Sequence, residues 1–523
     1  MRFGIDFGTT RTVVAAADRG NYPVVSFHLE SGDVQPWYPS LIATRGEQCF
    51  FGLDAQAKPQ ESGWSFLRSL KRLLADAGPE SLIRVGEVEL GALEWVSRYL
   101  TQLRIDLCMR SNIGVSAHEP LEALVAVPAN ANSNQRFITL EGFRQAGFRV
   151  LGLVNEPSAA GIEYAHRDAA KGKTGRKEYL VIYDLGGGTF DASVISMKDR
   201  HHEVLTAEGI GRLGGDDFDE LLLELALQRA SHIGELSATV RHHLLEICRE
   251  QKEGLHPNTR KMVIDLGRAI PGAGEVMVTT DEFYERCRPL VERTIETMEL
   301  AMSNSLRGEA LEWAGVAGIY LVGGSSDLPL VSRLLRERYG RRVRRSPYPY
   351  AATAIGLAIA ADAASGYKLQ ERFTRYFGVW READSGRRIV FDPIFFKDTP
   401  LPAAGEPPLI FTRAYQPVHN IGHFRYLECS QVNEDHQPSG EVTPWDEIFF
   451  PFDPALQHET NLHRIAVTRS ENDVAPLIQE RYVCHSHGVI EVTIAHHTAG
   501  FQRTYRLREL PERRRGKQKR VGQ

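Results

Sequence analysis

The sequence predicts an α/β protein of two duplicated lobes, followed by a small β-sandwich-like domain. Three observations carry that prediction. An apolar run ending in an acid, a glycine-threonine turn and a second apolar run occur at 179–195 (YLVIYDLGGGTFDASVI) and again at 3–14 (FGIDFGTTRTVV). A third turn, Gly323, Gly324 and Ser325, closes the apolar run 318–322. From Phe373 the texture changes to short alternating segments separated by polar, proline-rich loops, the pattern of an all-β domain.

The repeated hairpin has a chemical reading. Glycines let successive backbone N–H groups converge on an anion. A neighbouring hydroxyl can bond a phosphate oxygen or a metal-bound water, and a carboxylate at a strand end can hold Mg²⁺. Asp6 with Gly8, Thr9 and Thr10, and Asp184 with Gly186, Gly187, Gly188 and Thr189, supply these groups. Two such hairpins far apart suggest halves that face one nucleotide.

Composition is consistent with this. The 523 residues are 42% hydrophobic and 25% charged, enough for more than one globular domain. A net charge of −5 gives no overall pull toward nucleic acid or anionic membrane. The first hairpin begins close to Met1 and no apolar run reaches spanning length, so neither a signal peptide nor a membrane partner is expected. Six scattered cysteines without a CxxC suit reduced thiols in a cytoplasmic protein.

Taken in order, residues 64–75 show apolar positions at helical spacing, with Lys71 and Arg72 on another, solvated face. The run 121–128 is a buried-type strand stopped by Pro128, and a helix is expected over 133–146. A strand at 149–154 leads to Glu156, with Pro157 suited to a first helical turn. The basic loop 171–177 lacks the glycine of a phosphate-binding Walker motif. GIGRLG, 209–214, reads as a loop near phosphate that runs through Gly214 into Gly215 and Asp216. Helices are expected at 218–230, at 240–254 with His242 and His243 on its surface, and after Thr279, with a break at Pro289. The helices 328–338 and 350–364 close the α/β part. Strands follow at 388–391, 408–412, 423–429, 448–452, 464–468, 480–484 and 488–495. His485, His487, His496 and His497 are read as surface or turn residues, and the basic tail RRRGKQKR as solvated.

Together IDFGTT, SLKRLL, VAVPA, VNEPSAAGIEYA, YDLGGGTFDASVI, RLGGDDFDE and LVGGSSDLPLV make the chain resemble the seventy-kilodalton heat-shock chaperone family (DnaK type), within the actin and sugar-kinase ATPase superfamily. The likeness covers about 1–364. It implies an actin-like, ribonuclease-H-like nucleotide-binding domain at 1–365, a linker at 366–378, a β-sandwich substrate-binding-like domain at 379–510 and a disordered tail at 511–523. It implies slow hydrolysis of ATP with Mg²⁺ held by Asp6 and Asp184. Lys71, Glu156, Asp184, Thr189 and Asp191 match its catalytic positions, and Pro128 a proline implicated in interdomain switching. The nucleotide-contacting positions fall on Asp6, Gly8, Thr9, Thr10, Arg11, Gly186, Gly187, Gly188, Thr189, Gly214, Gly215, Asp216, Gly323, Gly324 and Ser325.

The departures lie at the base end and beyond. The family's adenosine clamp corresponds here to Arg249, Lys252, Glu253 and His256, where only the lysine is kept. Asp327 stands for a stacking arginine and Tyr350 for an acid, so Arg249 or Tyr350 is expected to supply the stacking face. The acidic-leucine linker is not recognisable in GYKLQERFTRY, 366–376, and no helical lid follows Leu510. The expected function is an ATP-dependent chaperone-like protein acting on a polypeptide client, with a co-chaperone or exchange factor and without nucleic acid. The alternatives are a nucleotide-gated scaffold with negligible turnover and, less favoured, a small-molecule kinase of the same superfamily.

Overall fold

The computed structural model describes residues 1–58, 63–74, 77–78, 81–116, 119–129, 131–170, 177–198, 200–230, 236–305, 313–383, 388–402, 406–469, 476–486 and 488–507. The loop 171–176 and the tail, both singled out above, lie outside them, as does His487. The chain divides into two compact units, Met1–Glu371 and Arg372–Gln523.

The first unit is mixed α/β and carries two principal sheets. One is formed by β1 (Arg2–Phe7), β2 (Arg11–Ala17), β3 (Tyr38–Pro39), β4 (Glu122–Val127) and β5 (Arg149–Asn155), in the order β5-β4-β1-β2-β3. The other is formed by β6 (Tyr179–Leu185), β7 (Phe190–Lys198), β8 (His201–Ile210), β9 (Val316–Val322), β10 (Val343–Arg345) and β11 (Lys368–Gln370), in the order β10-β9-β6-β7-β8-β11. In each, a first strand pairs antiparallel with the second through the glycine turn and parallel with a later strand on its other side. Asp6 and Asp184 therefore occupy the same place, next to last in the first strand of their hairpins.

The helices start where side chains satisfy their free N–H groups. For α1 (Ser133–Gln145), Asn132 accepts from the Gln135 backbone while the Gln135 side chain accepts from the Asn132 N–H, a reciprocal cap. α2 (Glu156–Ala170) follows β5 directly, and α3 (Gly215–Arg229) follows the turn after β8. α4 (Ala238–Glu253) is capped by Ser237 and α5 (Thr280–Ser303) by Thr279. α5 runs unbroken through Pro289: its buried face, Phe283, Cys287, Val291, Ile295 and Met298, holds the helix in place where local propensity alone predicts a break. α6 (Pro329–Tyr339) and the alanine-rich α7 (Ala352–Ala361) follow, and an earlier helix spans Ala92–Met109. α7 lies so close to α2 that a Cβ on Gly356 would sit 1.8 Å from the Ala159 carbonyl oxygen, so small residues there are a packing requirement.

Residues 64–75 do not form the expected helix. Ser65–Arg68 is a strand paired with Leu41–Arg45, Ser69 takes a left-handed φ of 59°, and only Leu70–Leu73 is helical. Sheet pairing at a distance outweighs the local spacing of leucines. His242 is buried and stacked on Phe66 of that strand (4.7 Å between centroids, 5° between planes), not on the surface, and His243 is half-buried.

The segment read as a linker holds two strands. β11 pairs in parallel with β8 through His201–Glu203, and β12 (Tyr376–Ala383) opens the second unit. That unit continues with β13 (Arg388–Phe395), β14 (Leu409–Tyr415), β15 (Ile421–Val432), β16 (Pro438–Pro451), β17 (Ile478–Cys484), β18 (Ile490–His496) and β19 (Phe501–Arg506). They form two four-stranded sheets, β13-β12-β15-β16 and β14-β17-β18-β19, all antiparallel. Phe377, Val379, Phe424 and Tyr426 from one sheet and Ile478, Tyr482, Val492 and Ile494 from the other share a core. β12 and β19 have no counterpart among the strands expected from the sequence. The strand expected at 464–468 is absent: a single helical turn, Leu462–Arg464, precedes an isolated bridge at Arg469. His496, read as a surface residue, is buried against the Phe452 carbonyl and Phe501.

Candidate active site

The two glycine hairpins of the first unit turn toward each other across one cleft of about 380 Å³. They approach closely. A Cβ on Gly187 would meet the Thr10 hydroxyl at 2.6 Å, and one on Gly188 would meet Thr9 Cγ2 at 2.6 Å. Gly323, at φ 81°, leaves 2.4 Å between an added Cβ and an Asp184 carboxylate oxygen. Only glycine allows the three turns to come together in this way.

Of the residues singled out in the sequence, Asp6, Gly8, Thr9, Thr10, Arg11, Lys71, Glu156, Asp184, Gly186, Gly187, Thr189, Gly215 and Asp216 line the cleft. Arg249, Lys252, Glu253, His256, Gly323, Gly324, Ser325 and Asp327 line it as well. Gly188, Gly214 and Asp191 do not. Gly214 packs behind Gly187, and Asp191 is buried opposite Asp184 across the hairpin. Pro128 is buried just beyond β4. Lining residues that sequence reasoning missed include two charged ones, Asp219, which stands one helical turn after Gly215 and could have been found by that spacing, and Arg345, which had no local signal.

The phosphate-type end is a buried nest of charge. Lys71 is 6% exposed and bonds Glu156; it does not project from a solvated face. Burial and then the Glu156 charge push Asp6 up to about 7, with Lys71 opposing. Asp184 is raised well above its ordinary range by burial, then by Glu156, Asp191 and Asp6. Burial would lower the Lys71 pKa, but Glu156, Asp6 and Asp191 outweigh it and raise it. Four carboxylates around one ammonium leave an excess of negative charge that favours a cation. Among the described residues no three metal-ligating side chains gather into a cage.

The other end of the cleft is built from arginine–acid pairs. Arg11 lies 4.2 Å over the Trp37 ring and reaches Glu253 from the opposite lobe. Arg249 is engaged by Glu246 and Glu253, Tyr350 meets Trp37 edge-on, and Asp327 pairs with Arg345. Among the cleft residues, the guanidinium lying on an aromatic ring of the protein is that of Arg11. Deeper in, Lys252 bonds the Gly215 carbonyl and Asp219 at 2.6 Å each, and burial, opposed by Lys252, pushes Asp219 up to about 6.

These features define a class: a duplicated α/β unit whose glycine turns and buried acids face one interlobe cleft. The comparisons with known proteins name the family within it. The chain belongs to the Hsp70 family: the model of the Hsp70 protein matches residues 109–374, just over half of the chain. It is 30% identical over 379 residues to the chaperone protein HscA of Cronobacter sakazakii, and 32% identical over 384 residues to an HscA homolog of Aeromonas hydrophila. HscA of Escherichia coli O7:K1 is 30% identical over 379 residues. Each alignment covers 70% of this chain and 58% of the relative, so the chain spans somewhat under two thirds of the length of the curated relatives it matches. Among the described residues no helix is long and apolar enough to cross a membrane.

Proposed function

We propose that the first unit is an actin-like ATPase that binds Mg·ATP in the interlobe cleft and hydrolyses it, and that the second, a β-sandwich, holds a polypeptide under its control. The observation that carries this reading is a buried lysine in an acid-rich nest beside two facing glycine turns. The cradle left by glycines and the excess of carboxylate suit a triphosphate with its cation. Asp6 and Asp184 would hold Mg²⁺, which when bound neutralises phosphate charge. Backbone N–H groups of the turns would position the phosphates. Lys71 would stabilise charge developing on the terminal phosphoryl group, while Glu156 and Asp191 orient the attacking water.

Control of the second unit has a physical route in the segment that leads to it. β11 adds to the second sheet, and Glu371 accepts from the Asn155 backbone N–H at 2.9 Å, one residue before Glu156. A shift at Glu156 therefore bears directly on the anchor of this segment. The test is phosphate release by wild type and Lys71→Ala, with and without an unfolded polypeptide. Turnover stimulated by polypeptide and lost in the variant supports the reading. Tight nucleotide binding without turnover would instead favour a nucleotide-gated scaffold, and phosphate appearing on a sugar a kinase.

A further inference from the structure

The chain's net charge of −5 hides a strongly positive ridge. Residues 333–345, RLLRERYGRRVRR, carry seven arginines, no lysine and one acid, Glu337. All seven arginines are exposed. They run from the outer side of α6, whose buried face is Leu330, Val331, Leu334 and Leu335, through the turn Gly340–Arg342 and onto β10. β10 is an edge strand, paired only with β9.

Three of the seven are neutralised: Arg338 by Glu299, Arg344 by Asp168 and Arg345 by Asp327. Among the described residues the other four, Arg333, Arg336, Arg341 and Arg342, meet no carboxylate. Arg333 and Arg342 lie over the rings of Tyr284 and Trp313, at 5.3 and 5.0 Å, which limits the freedom they would lose on binding. Tyr348, 53% exposed, follows the ridge.

We propose that this ridge binds single-stranded nucleic acid. The charge complement of four uncommitted guanidiniums is a polyanion, and arginine's planar fork matches a phosphate with two parallel hydrogen bonds. Exposed arginines on α6 and the turn after it can follow a flexible phosphodiester backbone, and the exposed Tyr348 ring, three residues beyond Arg345 in the same segment, can stack an unpaired base. An acidic polypeptide would use the charge but leave Tyr348 idle.

The test is fluorescence anisotropy of a labelled twenty-nucleotide oligo(dT) with the full chain between 50 and 200 mM salt. Binding should weaken steeply with salt. The Arg336→Glu, Arg341→Glu double variant should bind at least tenfold more weakly, with a log–log salt slope shallower by about 1.4, roughly 0.7 for each phosphate no longer neutralised. Tyr348→Ala should weaken oligo(dT) about tenfold and leave a blunt duplex of equal charge unaffected. None of these three residues lines the cleft, so nucleotide binding and thermal melting should match wild type and exclude misfolding as the cause. The basic tail is common to all variants, so binding that survives the double substitution unchanged belongs to the tail and overturns the proposal. So does the absence of binding at 50 mM salt, or displacement by polyglutamate of equal charge concentration as effective as displacement by unlabelled oligo(dT).

Discussion

Each unit gathers a cluster of charges, and the two clusters are built oppositely. In the first, Asp6, Glu156, Asp184 and Asp191 surround one Lys71. In the second, Arg381 bonds the fully buried Glu480 through two parallel hydrogen bonds of 2.9 and 2.7 Å, and Arg381 and Arg413 share Asp392. That makes two cations for two anions, with the Tyr482 hydroxyl donating to Glu480. The carboxyls report the contrast. Asp6 and Asp184 are driven up by burial and then by the Glu156 charge, whereas at Asp392 burial is outweighed by Arg413 and Arg381, which hold it below its ordinary range. A balanced cluster ties two sheets together, and an unbalanced one is a place where a counter-charge from outside the chain would be favoured.

The most severe test removes one side of the balanced cluster. Glu480→Ala leaves the Arg381 guanidinium with Asp392 as its remaining carboxylate partner, an expected loss of about 3 kcal/mol, visible in urea unfolding of the second unit's transition. Replacing both partners by apolar residues, Arg381→Met with Glu480→Leu, should recover most of that loss. If the double variant is as unstable as the single one, the clasp is more than a compensated charge pair.

The corresponding change in the unbalanced cluster should act on chemistry rather than on folding. Lys71→Ala is expected to lower turnover by about 10²–10³, the scale of a lost charge-stabilising donor, in a phosphate-release assay. Its melting temperature should rise on adding Mg²⁺ and nucleotide as the wild type's does. A variant that unfolds instead would place Lys71 with the structural clasp, not with the site.

Acid separates the two clusters next. Because the folded pKa of Asp392 lies below the unfolded value of about 3.9, its contribution is complete above that value and is lost as pH falls through the folded one. Stability of the second unit, followed by denaturant titration between pH 6 and 2, should therefore decline below about pH 4. Asp392→Asn should be less stable at pH 6 but show a flatter decline.

The smallest expected effect is at the cleft's rebuilt end. Arg11→Ala removes a guanidinium that lies on Trp37 and bridges the lobes to Glu253, while Arg249 continues to neutralise Glu253. Release of a fluorescent ADP analogue should quicken about fivefold, roughly 1 kcal/mol. An unchanged rate would show that this bridge is already open when nucleotide leaves.

How much of this could be read from the sequence depended on how far apart the interacting residues stand. The paired hairpins, the acids near the ends of their first strands and most cleft residues were legible, because the acid–glycine–hydroxyl order recurs along the chain and the remaining positions sit in motifs that resemble one family. The polarity of the base end was legible as a departure but not as an arrangement: nothing near Glu253 or Asp327 announces Arg11 or Arg345. The helix expected at 64–75 failed because its leucines satisfy helical spacing while the pairing partner of Ser65–Arg68 stands some twenty residues earlier. Lys71, on that segment, is exposed in the local reading and buried in the fold.

The sequence by itself determined the duplicated hairpins, the division of texture near Phe373 and the residue types of a phosphate-and-metal site, since these are written in short runs whose backbone geometry follows from neighbours. Only the tertiary structure decided which charges are dry and which carboxylate meets which cation. Lys71 and Glu156 are 85 residues apart, Arg11 and Glu253 are 242, and Arg381 and Glu480 are 99. Burial and pairing at such separations are set by how whole sheets and helices pack, and no local propensity encodes them.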